Sequence, residues 1–166
     1  MYIKVNRYKN WTFCEILVKY QPELSHHRQR VTLNNNLNGL KISLCQMPVV
    51  PGRPDLNAQY IIKEIRASSE RRVDIVVFPE MCVTGYLVGD IFEDEAFIND
   101  VSMWNKKIIE GTPPGITAIF GTVLSVVAKG EDGRPRLHNG AILASTGAML
   151  GYTVKSLQPN YRFFND

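Results

Sequence analysis

Asp74-Ile-Val-Val-Phe-Pro-Glu-Met-Cys-Val-Thr-Gly-Tyr86 is the stretch that decides how the rest of the chain folds. Asp74 to Phe78 is a short run rich in apolar and β-branched residues, and Pro79 cuts it off, which predicts a fully buried strand with an abrupt end. Glu80 follows at once, on a backbone constrained by Pro79 and released by Gly85. A carboxylate at the carboxyl edge of a buried strand is where an α/β scaffold carries its chemistry, although a loop-capping or solvated glutamate would occupy the same place.

Upstream of this strand, Lys41-Ile-Ser-Leu-Cys-Gln-Met47 alternates polar and apolar residues as a strand does, and Pro48 to Pro54 is a loop made almost wholly of breakers. Asp55 stands where a helix N-cap belongs, and Leu56, Ile61, Ile62 and Ile65 form an apolar stripe that runs up to Arg71-Arg72, cations suited to a helix C-terminus. Strand, helix and strand within about 40 residues match a βαβ unit, which implies two parallel strands. Downstream, Ile91 to Glu110 carries apolar residues at helical spacing with a break near Asp100, and Gly111 to Gly115 stops it. Ile116 to Ala128 reads as a strand interrupted at Gly121. The turn Lys129 to Pro135 reverses the chain into a strand over Arg136 to Ser145, and Gly147 turns it again into Ala148 to Ser156. The fold class is therefore α/β.

The 166 residues suffice for one domain with a real core. No run of about 18 apolar residues occurs, so no membrane span is expected, and the start lacks the apolar stretch of a secretory signal. Cys14, Cys45 and Cys82 are an odd number without CxxC spacing, which points to reduced thiols in a cytoplasmic setting. Net charge is +3, but Lys4, Arg7, Lys9, Lys19, Arg28 and Arg30 against Glu15 and Glu23 put +4 on residues 1–39 and leave −1 on the rest. In that leader Trp11 to Tyr20 is a strand or a helix, and His26 to Arg30 followed by Asn34 to Asn36 reads as a linker or disordered tract. Adjacent His26 and His27 without a Cys or carboxylate at ligand spacing are solvated side chains, so no metal is expected. The basic leader carries no stacking platform, so no nucleic acid is expected either. The expected organisation is a basic leader over 1–39, disordered or non-native, and a folded region over 40–166.

At the end of the last strand stands Lys155, in Lys155-Ser-Leu-Gln-Pro-Asn-Tyr161. Together with Ile42 to Gln46, Asp55 to Asn57, Phe78-Pro-Glu-Met-Cys-Val-Thr-Gly-Tyr86, Gly89-Asp90 and His138-Asn139-Gly-Ala141, this resembles the carbon-nitrogen hydrolase (nitrilase) superfamily. Within it, the closest likeness is to the amino-terminal glutaminase domains of glutamine-dependent NAD synthetases. The resemblance covers Leu40 to Asp166. It implies the front portion of an α-β-β-α sandwich and a Glu-Lys-Cys triad acting on glutamine or another small amide. Amide hydrolysis needs a thiolate, a base to make it and a cation for the oxyanion. By resemblance Glu80 is the general base, with a pKa raised by burial, and Lys155 stabilises the oxyanion. Tyr86, Tyr161 and Asp166 fall where the family lines its substrate pocket. Asp166 stands in place of a glutamate, and Gln158 and Phe163 also depart from the pattern.

The family's nucleophilic cysteine comes after further strands, so none is expected within this chain. Cys82 is the small buried hydrophobe of Met81-Cys-Val83, Cys45 lies inside a strand and Cys14 in the leader. The resemblance therefore implies a truncated, inactive front half of a glutaminase domain, with a sheet face and a strand edge uncovered and a homo-oligomer as one way to cover them. It implies no cofactor for the hydrolase region, and ATP and deamido-NAD only for a synthetase domain that this sequence does not contain. Another amidase, carbamoylase or nitrilase of the superfamily, or a non-catalytic fragment or binding module, are the competing readings.

Overall fold

The computed structural model describes residues 2–8, 11–18, 39–86, 88–129 and 135–156. One seven-stranded sheet organises them, with the strands side by side in chain order: β1 (Tyr2–Tyr8), β2 (Trp11–Val18), β3 (Leu40–Cys45), β4 (Ile75–Val77), β5 (Thr117–Lys129), β6 (Pro135–Ser145) and β7 (Ala148–Val154). Helix α1 (Pro54–Glu70) links β3 to β4, and a 3-10 turn (Gly89–Glu93) and helix α2 (Glu95–Glu110) link β4 to β5.

The predicted βαβ unit is present. β3 and β4 pair in parallel, Ile42 beside Ile75 and Leu44 beside Val77, and β5 continues the parallel centre beyond β4. The outer pairings are antiparallel, as the short reversals between β5, β6 and β7 require. Asp74 aligns the centre: its N–H donates to the Lys41 carbonyl at 2.9 Å, its carbonyl accepts from Thr117 N at 2.8 Å, and its Oδ2 accepts from Lys41 N at 2.7 Å.

Three local expectations differ. In the leader, the stretch expected as a strand or a helix holds strand β2, and Tyr2–Tyr8 adds a strand that was not expected: β1 and β2 form an antiparallel hairpin, and β2 pairs with β3 from Phe13 beside Cys45 to Val18 beside Leu40. The free edge of β3 is a row of backbone donors and acceptors that an adjacent chain segment satisfies. Residues 19–38, including His26 and His27, lie outside the described residues. Asp55 is not the N-cap of α1. Arg53 occupies that position, Pro54 opens the helix with a φ already suited to it, and Asp55 bonds Arg53 at 2.9 and 2.7 Å. The break in the second helical stretch falls at Asp94, whose Oδ1 accepts from Ala96 N at 2.9 Å as an N-cap, and Asp100 lies within α2.

Both helices lie on one face of the sheet. Ile61 and Ile65 of α1 and Val101 and Ile108 of α2 are buried with Val76, Ala118 and Phe120 of the central strands. Side chains alternate across a strand, so Ile42, Leu44, Ile75, Val77, Ile119 and Leu143 point to the opposite face, where they are half-buried. The last strand, β7, is exposed along nearly its whole length, with Leu150 and Tyr152 the most open. One helix layer thus covers one face of a mixed sheet, which agrees with the α/β class and with the sandwich that the resemblance implies. Among the described residues, no helix is long and apolar enough to cross a membrane.

Candidate active site

Chain geometry after β4 follows from Pro79 and two glycines. Phe78 N still bonds the Ile119 carbonyl at 2.8 Å, and beyond Pro79 the backbone lifts onto the half-buried face and turns, with Met81 at φ 52 and Gly85 at φ 78. The turn lies flat on β5 at Gly121. A Cβ at Gly121 would come within 2.5 Å of Pro79 O, 2.6 Å of Met81 N and 2.7 Å of Glu80 Cα, so only glycine admits this approach. Val83 N bonds the Gly121 carbonyl at 3.3 Å. From the other side, the buried Asn57 side chain accepts from Val50 N at 2.9 Å and donates to Val50 O and Val83 O at 2.9 and 3.0 Å. Gly52 N adds a bond to Thr84 O at 2.8 Å, which fastens the breaker loop before α1 to the turn that carries Glu80.

On this platform Glu80 and Lys155 meet, from opposite edges of the predicted site. Lys155 Nζ lies 2.9 Å from Glu80 Oε1, although 75 residues separate them. Lys155 is aimed by its own backbone, whose N–H donates to Asn139 O at 2.8 Å just past β7. The Asn139 side chain donates to the same Glu80 Oε1 at 2.6 Å. The three side chains border an open cavity of about 400 Å3 whose apolar walls include Val77, Phe78, Ile119 and Ala141. Tyr86 is exposed, and only as a phenolate would it add, after Glu80, to the charge that favours the Lys155 ammonium. Tyr161 and Asp166 lie outside the described residues, as do Gln158 and Phe163.

The electrostatics differ from the expected buried base. The Lys155 hydrogen bond, then that of Asn139, holds the Glu80 carboxyl below its ordinary range, and burial opposes them only weakly because the side chain is 49 % exposed. Glu80 raises Lys155 in return through the same hydrogen bond and its charge. The site therefore presents a carboxylate and an ammonium that are both charged at neutral pH. In such a pair the carboxylate can accept a proton and the ammonium can stabilise negative charge that develops on a nearby oxygen.

Neither cysteine with a described side chain serves as a thiolate. Cys82 is buried, its Sγ donates to Gly121 O at 3.3 Å, and burial pushes its thiol up to about 12. Burial likewise pushes Cys45 up to about 12. Both are packing residues, and the side chain of Cys14 lies outside the described residues. Among the described residues, no cluster of His, Cys, Asp and Glu could hold a metal ion. Sequence reasoning assigned no role to Asn57, Gly121 or Asn139. Gly121 and Asn139 were marked as residue types that strands disfavour, a glycine in β5 and an asparagine in β6, whereas Asn57 in α1 carried no such mark, and only the tertiary contacts explain all three.

No family model matches the chain. It is 26 % identical over 125 residues to the glutamine-dependent NAD(+) synthetase of Synechocystis sp., an alignment covering 75 % of this chain and 22 % of that protein. The crystal structure of a glutamine-dependent NAD(+) synthetase from Cytophaga hutchinsonii superposes with a TM-score of 0.66 at 20 % identity, over 76 % of this chain and 21 % of that one. An amidase from Nesterenkonia sp. superposes with a TM-score of 0.56 at 19 % identity, over 75 % of this chain and 45 % of that one. The chain thus spans about a fifth of the length of the synthetases it matches. Over some three quarters of its length, the chain has the nitrilase-superfamily fold and is homologous to the glutaminase domain of glutamine-dependent NAD synthetases.

Proposed function

We propose that this chain carries the acid-base and oxyanion half of a glutamine amide hydrolysis site. The observation that carries the reading is the 2.9 Å contact between Lys155 Nζ and Glu80 Oε1 beside an open cavity of about 400 Å3. Glu80 would take the proton of an attacking thiol and return it to the departing ammonia, while Lys155 would stabilise the oxyanion that the amide carbonyl oxygen becomes on attack. Tyr86, with Tyr161 and Asp166 beyond the described residues, would border the glutamine. In relatives that make NAD, the ammonia would then serve an ATP-dependent amidation of deamido-NAD outside the aligned stretch. No described cysteine supplies the thiolate, so the 166-residue chain alone would bind the amide without turning it over.

Binding is the test that does not need the nucleophile. Addition of glutamine to isotopically labelled chain should perturb the NMR signals of Glu80, Tyr86 and Lys155 saturably, and Lys155→Met should remove the response. Butyramide separates the amidase alternative: a response to it stronger than to glutamine transfers the reading to a simple aliphatic amide. Absence of any response to either at tens of millimolar would end the amide-hydrolase reading for this chain.

A further inference from the structure

We infer that Asn139 is the positioning residue of the Glu80–Lys155 pair, and that by joining Lys155 on Glu80 Oε1 it leaves Oε2 as the proton-accepting oxygen. The inference rests on the amide-hydrolase reading and deepens it.

Asn139 acts on both members of the pair through different atoms. Its side-chain N–H donates to Glu80 Oε1 at 2.6 Å, and its backbone carbonyl accepts the Lys155 N–H at 2.8 Å. It is 3 % exposed, so this amide is exchanged for water only at a cost. A carboxylate accepts hydrogen bonds and cannot donate them, so the amide must turn its NH2 group toward Glu80. A strand interior disfavours asparagine, and a valine or threonine at this position would pair in β6 equally well. The amide is explained by what it bonds.

The consequence lies in how the two oxygens of Glu80 differ. Lys155 and Asn139 both bond Oε1, at 2.9 and 2.6 Å, and among the described residues no hydrogen bond reaches Oε2. The saturated oxygen anchors the carboxylate, and the other keeps a lone pair for the proton of a thiol. With Lys155 alone, the carboxylate could rotate and exchange its oxygens. Two donors from adjacent strands on one oxygen prevent that rotation, which is the fixed geometry that general base catalysis needs.

The test reads the titration of Glu80 directly in the full chain by carboxyl 13C NMR, with the signal assigned through Glu80→Gln. Asn139→Ala should raise the Glu80 midpoint, and Asn139→Asp should raise it further by setting a second carboxylate against the first. Asn105→Ala is the control for a purely structural role. Asn105 is a buried amide that accepts from Thr122 Oγ1 at 2.8 Å and bonds Val123 O, so its loss should lower stability without moving the Glu80 midpoint. Should the Asn139 variants fail to fold, the wild-type chain decides: one Asn139 Nδ2 proton should shift in step with the Glu80 titration. A Glu80 midpoint unchanged in Asn139→Ala, or an Asn139 amide indifferent to that titration, overturns the inference. The outcomes are separable, because failure of glutamine to bind strikes the amide-hydrolase reading and leaves this titration untouched.

Discussion

Gly121→Ala should dislodge the turn that carries Glu80. The added methyl would lie 2.5 Å from Pro79 O, 2.6 Å from Met81 N and 2.7 Å from Glu80 Cα, where real Cβ atoms stay beyond 3.0 Å. All three neighbours are backbone, so no side chain can rotate away, and the turn must lift by at least 0.5 Å, the difference between 3.0 and 2.5 Å. Overpacking of this kind costs about 1–3 kcal/mol, which for a domain of this size lowers the melting temperature by roughly 2–4 °C per kcal/mol. Asn139 and Lys155 sit on β6 and just past β7 and need not follow the turn, so the bonds to Glu80 Oε1 should lengthen and the Glu80 carboxyl should titrate higher. Urea denaturation followed through tryptophan fluorescence, from Trp11 and Trp104, gives the stability, and carboxyl NMR gives the titration. Gly151→Ala is the matched control: a Cβ on Gly151 in β7 meets nothing within 4 Å, so that variant should stay within about 0.5 kcal/mol of wild type. If the two variants prove equally stable and Glu80 titrates normally in both, the turn is not seated on β5 and the account of the site fails.

Other outcomes follow from the same packing. Phe120→Ala removes a side chain that is fully buried between the sheet and the helices and should destabilise by about 3–5 kcal/mol in chemical denaturation; a loss under about 1 kcal/mol would mean that this face is not the core. Asn57→Ala strands the buried Val83 carbonyl and removes two part-buried bonds to Val50, and should cost about 1–3 kcal/mol, with faster amide exchange at Gly52 N, which bonds Thr84 O; unchanged exchange there would contradict the coupling of the two loops. Cys82 should resist thiol reagents until the protein is denatured, and the chain should release no ammonia from glutamine; release abolished by Cys82→Ala would reverse the assignment of Cys82 to packing. The Glu80–Lys155 pair makes stability depend on pH at both ends. Glu80 has its pKa lowered by folding, so its contribution is present above the unfolded value of about 4.3 and disappears as pH falls through the folded value. Lys155 has its pKa raised, so its contribution is complete below about 10.4 and disappears as pH rises through the folded value. The stability gap between wild type and Lys155→Met should therefore be flat from about pH 5 to pH 9, close in acid and shrink in salt, because both side chains are half exposed. A gap that widens in acid would refute the pairing.

What the sequence determined by itself was the layer plan and the two charged ends. A β-branched run closed by Pro79, a helical stripe between breakers and a return through Gly147 are local signals, each confined to a few residues, and local sterics and hydrophobic period suffice to produce them. They placed β3, α1, β4, α2, β5, β6 and β7, and they put Glu80 and Lys155 at strand ends. The N-cap at Arg53, the helix start at Asp94 and the hairpin of β1 and β2 were less legible. Caps compete among several suitable residues over one or two positions, and an added edge strand depends on a partner distant in sequence. The tertiary structure alone decided that Gly121 must lack a side chain, that Asn57 ties two loops together and that Asn139 shares Glu80 with Lys155. It also decided that Glu80 is an exposed, lowered carboxylate where a buried, raised one was expected, because a pKa is set by the donors that reach it across the fold. Contacts between residues 59 and 75 positions apart leave no periodic trace in the chain, and they exist only once the sheet has brought β6, β7 and the turn after β4 together.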